Sequence, residues 1–417
     1  MDQSQIDNQL FHMFDGSFKA AKDLQVGDQL MGVDSLPCTI QRLDIVEETC
    51  YSVKPVKGDP YIIGSSDTLS LSYTADPSMY WSESKQAYVV EWFNKTEIKK
   101  NTKGFSVYKH GTKEKASDNA EEYKNSLVAE KKFTLSLVKY LKLSKQMRAN
   151  IKGFKVALNF PDREFLIDPY FIGYWLGDGS HRDSALTIGE QDNHMVDYFR
   201  AYFQNNFNLQ FNQVGSKITY RVTTGESGHT YDGKNVVLKY LRDKNLHMNK
   251  HIPLEFLHSS RESRLRLLAG LIDSDGHLDR NGCYDFIQKR EQLFNEVVYL
   301  IRSLGFSCYK KKCKKTCTNS PGGPKTGDYF RCTISGKGLE EIPNLIPRKR
   351  SNPREQEKDT LVTGITLENI GIFKNYHIYT DQKEYLLVDF TVRHKHEIYF
   401  APLKPKIKKS DLNKLFI

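Results

Sequence analysis

The stretch Leu268-Ala269-Gly270-Leu271-Ile272-Asp273-Ser274-Asp275-Gly276 is an apolar run that ends in an acidic residue followed by glycine. Ninety-seven positions earlier, Phe171-Ile172-Gly173-Tyr174-Trp175-Leu176-Gly177-Asp178-Gly179 has the same form. Each run carries small residues four apart, Gly270 with Ser274 and Gly173 with Gly177. In a helix that spacing puts them on one face and lets two backbones approach closely. The closing glycine reads as a helix stop. Packed together, the two helices bring Asp178 and Asp275 side by side at one end. Adjacent carboxylates repel unless a divalent cation lies between them. One such run alone is an ordinary core helix with a cap. Two in matching surroundings point to a metal-assisted hydrolytic site built from an internal repeat.

The surroundings do match. After the first run come a strand-like Ala185–Ile188, then Met195, Val196, Phe199, Tyr202 and Phe203 at helical spacing, then strand-like Leu209–Phe211 and Ile218–Val222. After the second come strand-like Tyr284–Ile287, then Leu293, Val297, Leu300, Ile301 and Leu304 on a helical face, then a strand pair, Phe306–Tyr309 with Tyr329–Ile334. Each half reads as helix, strands, helix, strands.

The two runs resemble the LAGLIDADG motif of homing endonucleases. The second copy departs from the consensus only at Ser274, and the first keeps Gly173, Asp178 and Gly179. The resemblance implies two αββαββα halves related by a pseudo-twofold, straddling a duplex whose strands are themselves related by local twofolds. It implies Mg²⁺ as cofactor, held at Asp178 and Asp275 with Gly177 and Ser274 beside them. It also implies a basic residue at each scissile phosphate: Lys250 in Asn249-Lys250-His251-Ile252-Pro253, and Lys349 in Pro347-Arg348-Lys349-Arg350. Asp273, two positions before Asp275, is assigned to helix packing or a cap.

Charge supports a polyanionic partner. The 417 residues carry a formal net charge of +10, and residues 81–160 hold 17 Lys or Arg against 8 Asp or Glu, a surplus of 9. A basic segment interleaved with Tyr, Trp and Phe fits DNA. Within it, Lys139, Lys142, Lys145 and Arg148 lie on a loosely helical run suited to phosphates, and Lys310 and Lys312 form a second basic cluster. No run of 18 apolar residues occurs, so no membrane span is expected. The polar N-terminus does not resemble a secretory signal. Seven cysteines, an odd number, point to free thiols in a reducing compartment. Cys308, Cys313 and Cys317 cluster but lack a C-x-x-C pair, so ordinary strand cysteines are the expectation.

The two ends of the chain resemble the edges of an intein splicing (Hint) domain. Phe14-Asp15-Gly16-Ser17, Val26–Gly32 and Glu48–Val53 look like its opening, and Tyr385–His394 like its closing strands. The implied architecture is α+β: an all-β Hint-like domain formed by both chain ends, plus the pseudo-twofold endonuclease domain. The expected division is 1–75 (Hint-like), 76–160 (basic DNA recognition), 161–255 and 256–355 (the two repeats), 356–395 (Hint-like) and 396–417 (basic tail). Splicing needs a nucleophile, a His and a terminal Asn. Ser4 stands where the nucleophile belongs, Asp67 where a His is expected, and His394 persists, but Lys395 replaces the Asn and cannot cyclise. The expectation is a free-standing monomer that cuts double-stranded DNA at a long, specific site and does not splice. It acts in the nucleus if the source is eukaryotic and in the cytoplasm otherwise. The alternative is a DNA-binding protein on the same fold with lost or repurposed cleavage.

Overall fold

The computed structural model describes residues 2–127, 131–225, 234–317, 323–353, 355 and 359–397. Most of the basic tail, 398–417, lies outside the described residues. The architecture is α+β, with antiparallel sheets throughout.

The two motif runs are helices, Pro169–Asp178 and Arg261–Asp275, packed directly on each other. Asp168 caps the first, accepting from Tyr170 N–H at 2.8 Å, and Pro169 occupies its first turn. Ser260 caps the second. Nearly every side chain of the first helix is buried, which its all-round apolar sequence demands.

Around this pair each half adds its layer. In the first half a three-stranded sheet (Leu186–Thr187, Gln210–Gln213, Thr219–Thr223) is followed by helix Val236–Asp243, and helix His194–Phe207 packs between. In the second, strands Gly276–Leu278, Tyr284–Gln288, Lys325–Ile334 and Lys311–Cys317 lie side by side in that order, with helix Glu291–Ser303 behind them. The second half ends in two short 3₁₀ turns, Leu339–Glu341 and Pro347–Lys349, where the expected plan has a helix. Phe306–Tyr309 is not a strand. It makes one bridge, Ser307 to Ser335, and strand pairing starts only at Lys311. Phe306 and Cys308 turn into the core instead, next to Gly305 at φ +87°.

The two chain ends do build one β unit. Strand Pro37–Pro55 pairs with Ile365–Thr380 along almost its whole length, joining residues more than 300 positions apart. Residues 76–160 are not one separate region. Strands Ser78–Ser82, Ala87–Asn94 and Lys99–Ser106 form their own sheet under helix Lys113–Ser126. Lys132–Ser136 and Ile151–Phe154, however, return to pair with Thr68–Tyr73 of the end-built unit. The surplus of positive charge runs through both pieces, so it cannot mark the boundary that hydrogen bonding makes. The end-built unit and the two motif-helix halves share one core, in which Met31, Leu386, Phe390 and Val392 pack with the residues of the motif helices.

Candidate active site

Close approach of the two motif helices creates the site. A Cβ on Gly173 would run into the Leu267 carbonyl oxygen, and one on Gly270 into the Tyr170 carbonyl oxygen. A Cβ on Gly177 would meet the Ser274 hydroxyl and stand 3.3 Å from the Asp275 carboxyl carbon. The helices are therefore parallel and in register, with Asp178 and Asp275 at their paired C-terminal ends. The glycines that follow the acids serve by lacking bulk. Gly179 and Gly276 are extended, at φ −78° and −87°, not left-handed as a glycine helix stop predicts. Side chains there would strike Trp175 and Ile272 of the preceding turn.

Each half supplies one lysine to this end. Lys250 Nζ donates to the carbonyls of Leu176 (3.0 Å), Gly177 (3.2 Å) and Gly179 (2.7 Å), and sits over the Trp175 ring. Lys349 Nζ donates to the carbonyls of Ile272 (2.9 Å), Asp273 (2.7 Å) and Ser274 (3.3 Å). Each ammonium thus caps the negative end of one motif helix beside its aspartate. Asp178, Asp275, Lys250, Lys349, Gly177 and Ser274, six residues from four places in the sequence, meet in one place.

The electrostatics are those of a crowded, partly dry site. Burial and the neighbouring charge of Asp275 push Asp178 up to about 6, against the pull of Lys349 and Lys250. Asp275 shifts the same way because protein crowds its carboxyl, although the residue's outer face is open to solvent. That open face is the side from which a ligand can reach the pair. Burial pushes Lys250 down to about 8, opposed by both aspartates, and lowers Lys349 as well. Two carboxylates with the Gly177 and Ser274 carbonyls make an all-oxygen donor set, which fits a hard divalent cation such as Mg²⁺. Among the described residues no third His, Cys, Asp or Glu joins them. The remaining positions of such an ion are left to water or phosphate.

Other site neighbours had no signal in the sequence. Gln288 reaches toward Asp275. Arg348 forms an ion pair with the buried Asp192 of the first half. Asp273, expected to pack or cap, takes bonds from Tyr170, Asn344, Leu345 and Ile346. Apart from Gln288, these partners lie far apart in sequence, where local spacing carries no information.

The remaining candidates lie away from the pair. Lys139 on helix Leu137–Leu141, Lys142 at that helix's C-cap, and Lys145 and Arg148 on helix Lys145–Asn150 are all exposed. Lys310 is tied to Glu291 and Asn295, while Lys312 is exposed on its strand. The charge of Lys315, a further lysine of the same basic cluster, reaches Asp275.

The degenerate splicing positions divide. Ser4 is exposed and bonds Asp2. Asp67 is buried and accepts from Arg393 (3.1 Å) and Gly64 N–H (2.8 Å), with His396 Nδ1 at 3.1 Å. Burial alone would raise it, but His396 and Arg393 hold it below the usual range. His394 is buried but turns to the Lys395 carbonyl, and Lys395 donates to the Thr380 carbonyl. It is His396, not His394, that faces Asp67, and it stacks on His377 with ring centroids 3.7 Å apart.

Residues 251–344, which include the second motif helix and its sheet, match the family model described as homing endonuclease. Two curated relatives are similar at 25% identity. One is the replicative DNA helicase DnaB of Mycobacterium intracellulare, over 69% of this chain and 40% of the relative. The other is the homothallic switching endonuclease of Saccharomyces cerevisiae, over 48% of this chain and 40% of the relative. The chain thus spans about two-fifths of the length of these relatives. Among solved structures, I-DmoI in complex with DNA and Mn aligns with 41% of this chain and 89% of its own, at 14% identity and a TM-score of 0.26.

Proposed function

We propose that this chain is a site-specific double-strand DNA endonuclease of the homing type. The observation that carries the reading is the convergence of Asp178 and Asp275, each beside its own lysine, at the open end of two parallel helices. Mg²⁺ bound at the aspartates supplies charge neutralisation at phosphorus and activation of a water. Asp178 and Asp275 hold that position for the two strands of the duplex. Lys250 and Lys349 face the scissile phosphates and stabilise the charge that develops there. The sheets of the two halves cradle the duplex, and Lys312 and Lys315 contact its backbone. Lys139, Lys142, Lys145 and Arg148 extend the footprint along flanking DNA.

The domain is intein-derived and no longer splices. In support, the chain matches two-fifths of a replicative helicase as well as two-fifths of a switching endonuclease. Asp67, at the position of a splicing histidine, is held in ion pairs with Arg393 and His396, and Lys395 has no route to a succinimide. The end-built β unit serves as a scaffold. The protein works as a monomer, in the nucleus if its host is eukaryotic and in the cytoplasm otherwise.

Incubation with a randomised duplex library and Mg²⁺ tests the reading. Enrichment of one long site cut on both strands supports it. Specific retention of a site without cutting moves the reading to a repurposed DNA-binding protein. An unchanged intact mass after expression supports the loss of splicing.

A further inference from the structure

The second half of the site contains a closed staple that the first half lacks. Asp273, 2% exposed, turns its carboxylate away from Asp275. It accepts from the Tyr170 hydroxyl (2.8 Å), Asn344 Nδ2 (2.9 Å), Leu345 N–H (2.7 Å) and Ile346 N–H (3.3 Å). Residues 344–346 lead straight into Pro347–Lys349. Lys349 then returns its ammonium to the carbonyls of Ile272, Asp273 and Ser274. One side chain of the helix thus anchors the start of a segment whose end lies on the same helix beside Asp275.

The aligned position in the first helix is Leu176, buried and without a polar side-chain atom. The segment that carries Lys250 is fixed from other elements. Met248 N–H donates to the His181 carbonyl at 2.7 Å, and Ile252 N–H donates to Glu296 Oε2 at 2.7 Å. Two equivalent lysines are therefore held by unlike chemistry.

We propose that Asp273 is a positioning residue for the Lys349 half alone, so that loss of its carboxylate turns a double-strand cutter into a strand-specific nicking enzyme. The inference rests on the endonuclease reading above. Without the carboxylate, two backbone N–H groups, the Asn344 amide and the Tyr170 hydroxyl lose their buried acceptor, and an unmade buried bond is costly. The segment opens to water to satisfy them and draws Lys349 off the helix end. The first half touches Asp273 only through Tyr170 among the described residues, in the first turn of its helix and at the opposite end from Asp178, and nothing in the Lys250 segment bonds to Asp273, so the Lys250 end keeps its geometry. Asn344 shares the task, because its side-chain oxygen lies 2.9 Å from the Tyr284 hydroxyl while its amide holds Asp273.

The test uses the full chain and a duplex that the wild type cuts, with the two strands carrying different fluorophores. For Asp273→Leu, the residue type of the first half, cleavage of one strand falls about 100-fold, the scale of losing one positioned donor. The other strand changes only a few-fold. Lys349→Met slows the same strand. Asp273→Asn keeps an oxygen for the backbone N–H groups and recovers much of the lost rate. Equal slowing of both strands by a folded Asp273→Leu overturns the inference while leaving the endonuclease reading intact. If that variant does not fold, Asn344→Ala carries the same expectation and the same refutation. A wild type that cuts no duplex overturns both readings.

Discussion

At the residue scale, the site is maintained against its own electrostatics. Asp178 has an ordinary pKa of 3.8 and is pushed up to about 6 in the fold, by burial first and by Asp275 second. The folded chain therefore holds that proton more tightly than the unfolded chain. Its stabilising contribution is fully present below about pH 4 and is lost as pH rises through about 6. Metal-free protein unfolded in urea should lose stability across that window, and Asp178→Asn, neutral throughout, should lose less. Mg²⁺ should restore the wild type at neutral pH and do little for the variant. Equal pH slopes for the two proteins would contradict the assigned cause. A second residue-scale expectation concerns Arg393. Replacing it with Met leaves Asp67 buried without its permanent cation, and breaking a buried pair costs about 3–5 kcal/mol. Urea denaturation of Arg393→Met checks this, and a loss below about 1 kcal/mol would mean that His396 alone balances Asp67.

At the element scale, the motif helices work because their contact faces are nearly bare backbone. A Cβ at Gly270 would stand 2.6 Å from Tyr174 N and 3.0 Å from Gly173 C, atoms that no rotamer change can move. Gly270→Ala should cost about 1–3 kcal/mol, the range for overpacking, and should spread the two aspartates. Gly104→Ala, where nothing lies within 4 Å of the added carbon, is the control. Chemical denaturation separates the two. This part of the fold was legible in the sequence, since small residues four apart and a terminal acid report directly on a helix face. The reason for Gly179 and Gly276 was not legible, because crowding by Trp175 and Ile272 depends on how the chain turns after the helix. Nor was the inward turn at Phe306 and Cys308, whose apolar residues suit a strand as well as a core loop. Asp192 with Arg348 and Asp273 with Asn344 were invisible for a simpler reason: each pair spans more than 70 positions.

At the scale of the whole molecule, one chain folds back so that its two end regions build a β unit that shares a core with the motif helices. Strand Pro37–Pro55 finds Ile365–Thr380 across the entire intervening sequence. The β-rich character of both ends was legible, but where the basic region stops was not, since strands 132–136 and 151–154 rejoin the end-built sheet. Lys139, Lys142, Lys145 and Arg148 therefore ride on that sheet and not on the separate one. If all four meet phosphates, replacing them with Ala should reduce the slope of log Kobs against log salt by about 3–4, at roughly 0.9 per contact. Cleavage of bound DNA at low salt should persist, and an unchanged slope would remove these residues from the interface.

In the proposed function, two carboxylates on paired helices serve the cutting of two DNA strands. The most direct measurement takes a duplex selected by wild-type cleavage and compares cutting and affinity for wild type, Asp178→Asn and Asp275→Asn in Mg²⁺. The account predicts that each variant loses cleavage while its DNA dissociation constant stays within a few-fold of wild type. A variant that still cuts both strands at the wild-type rate would contradict it.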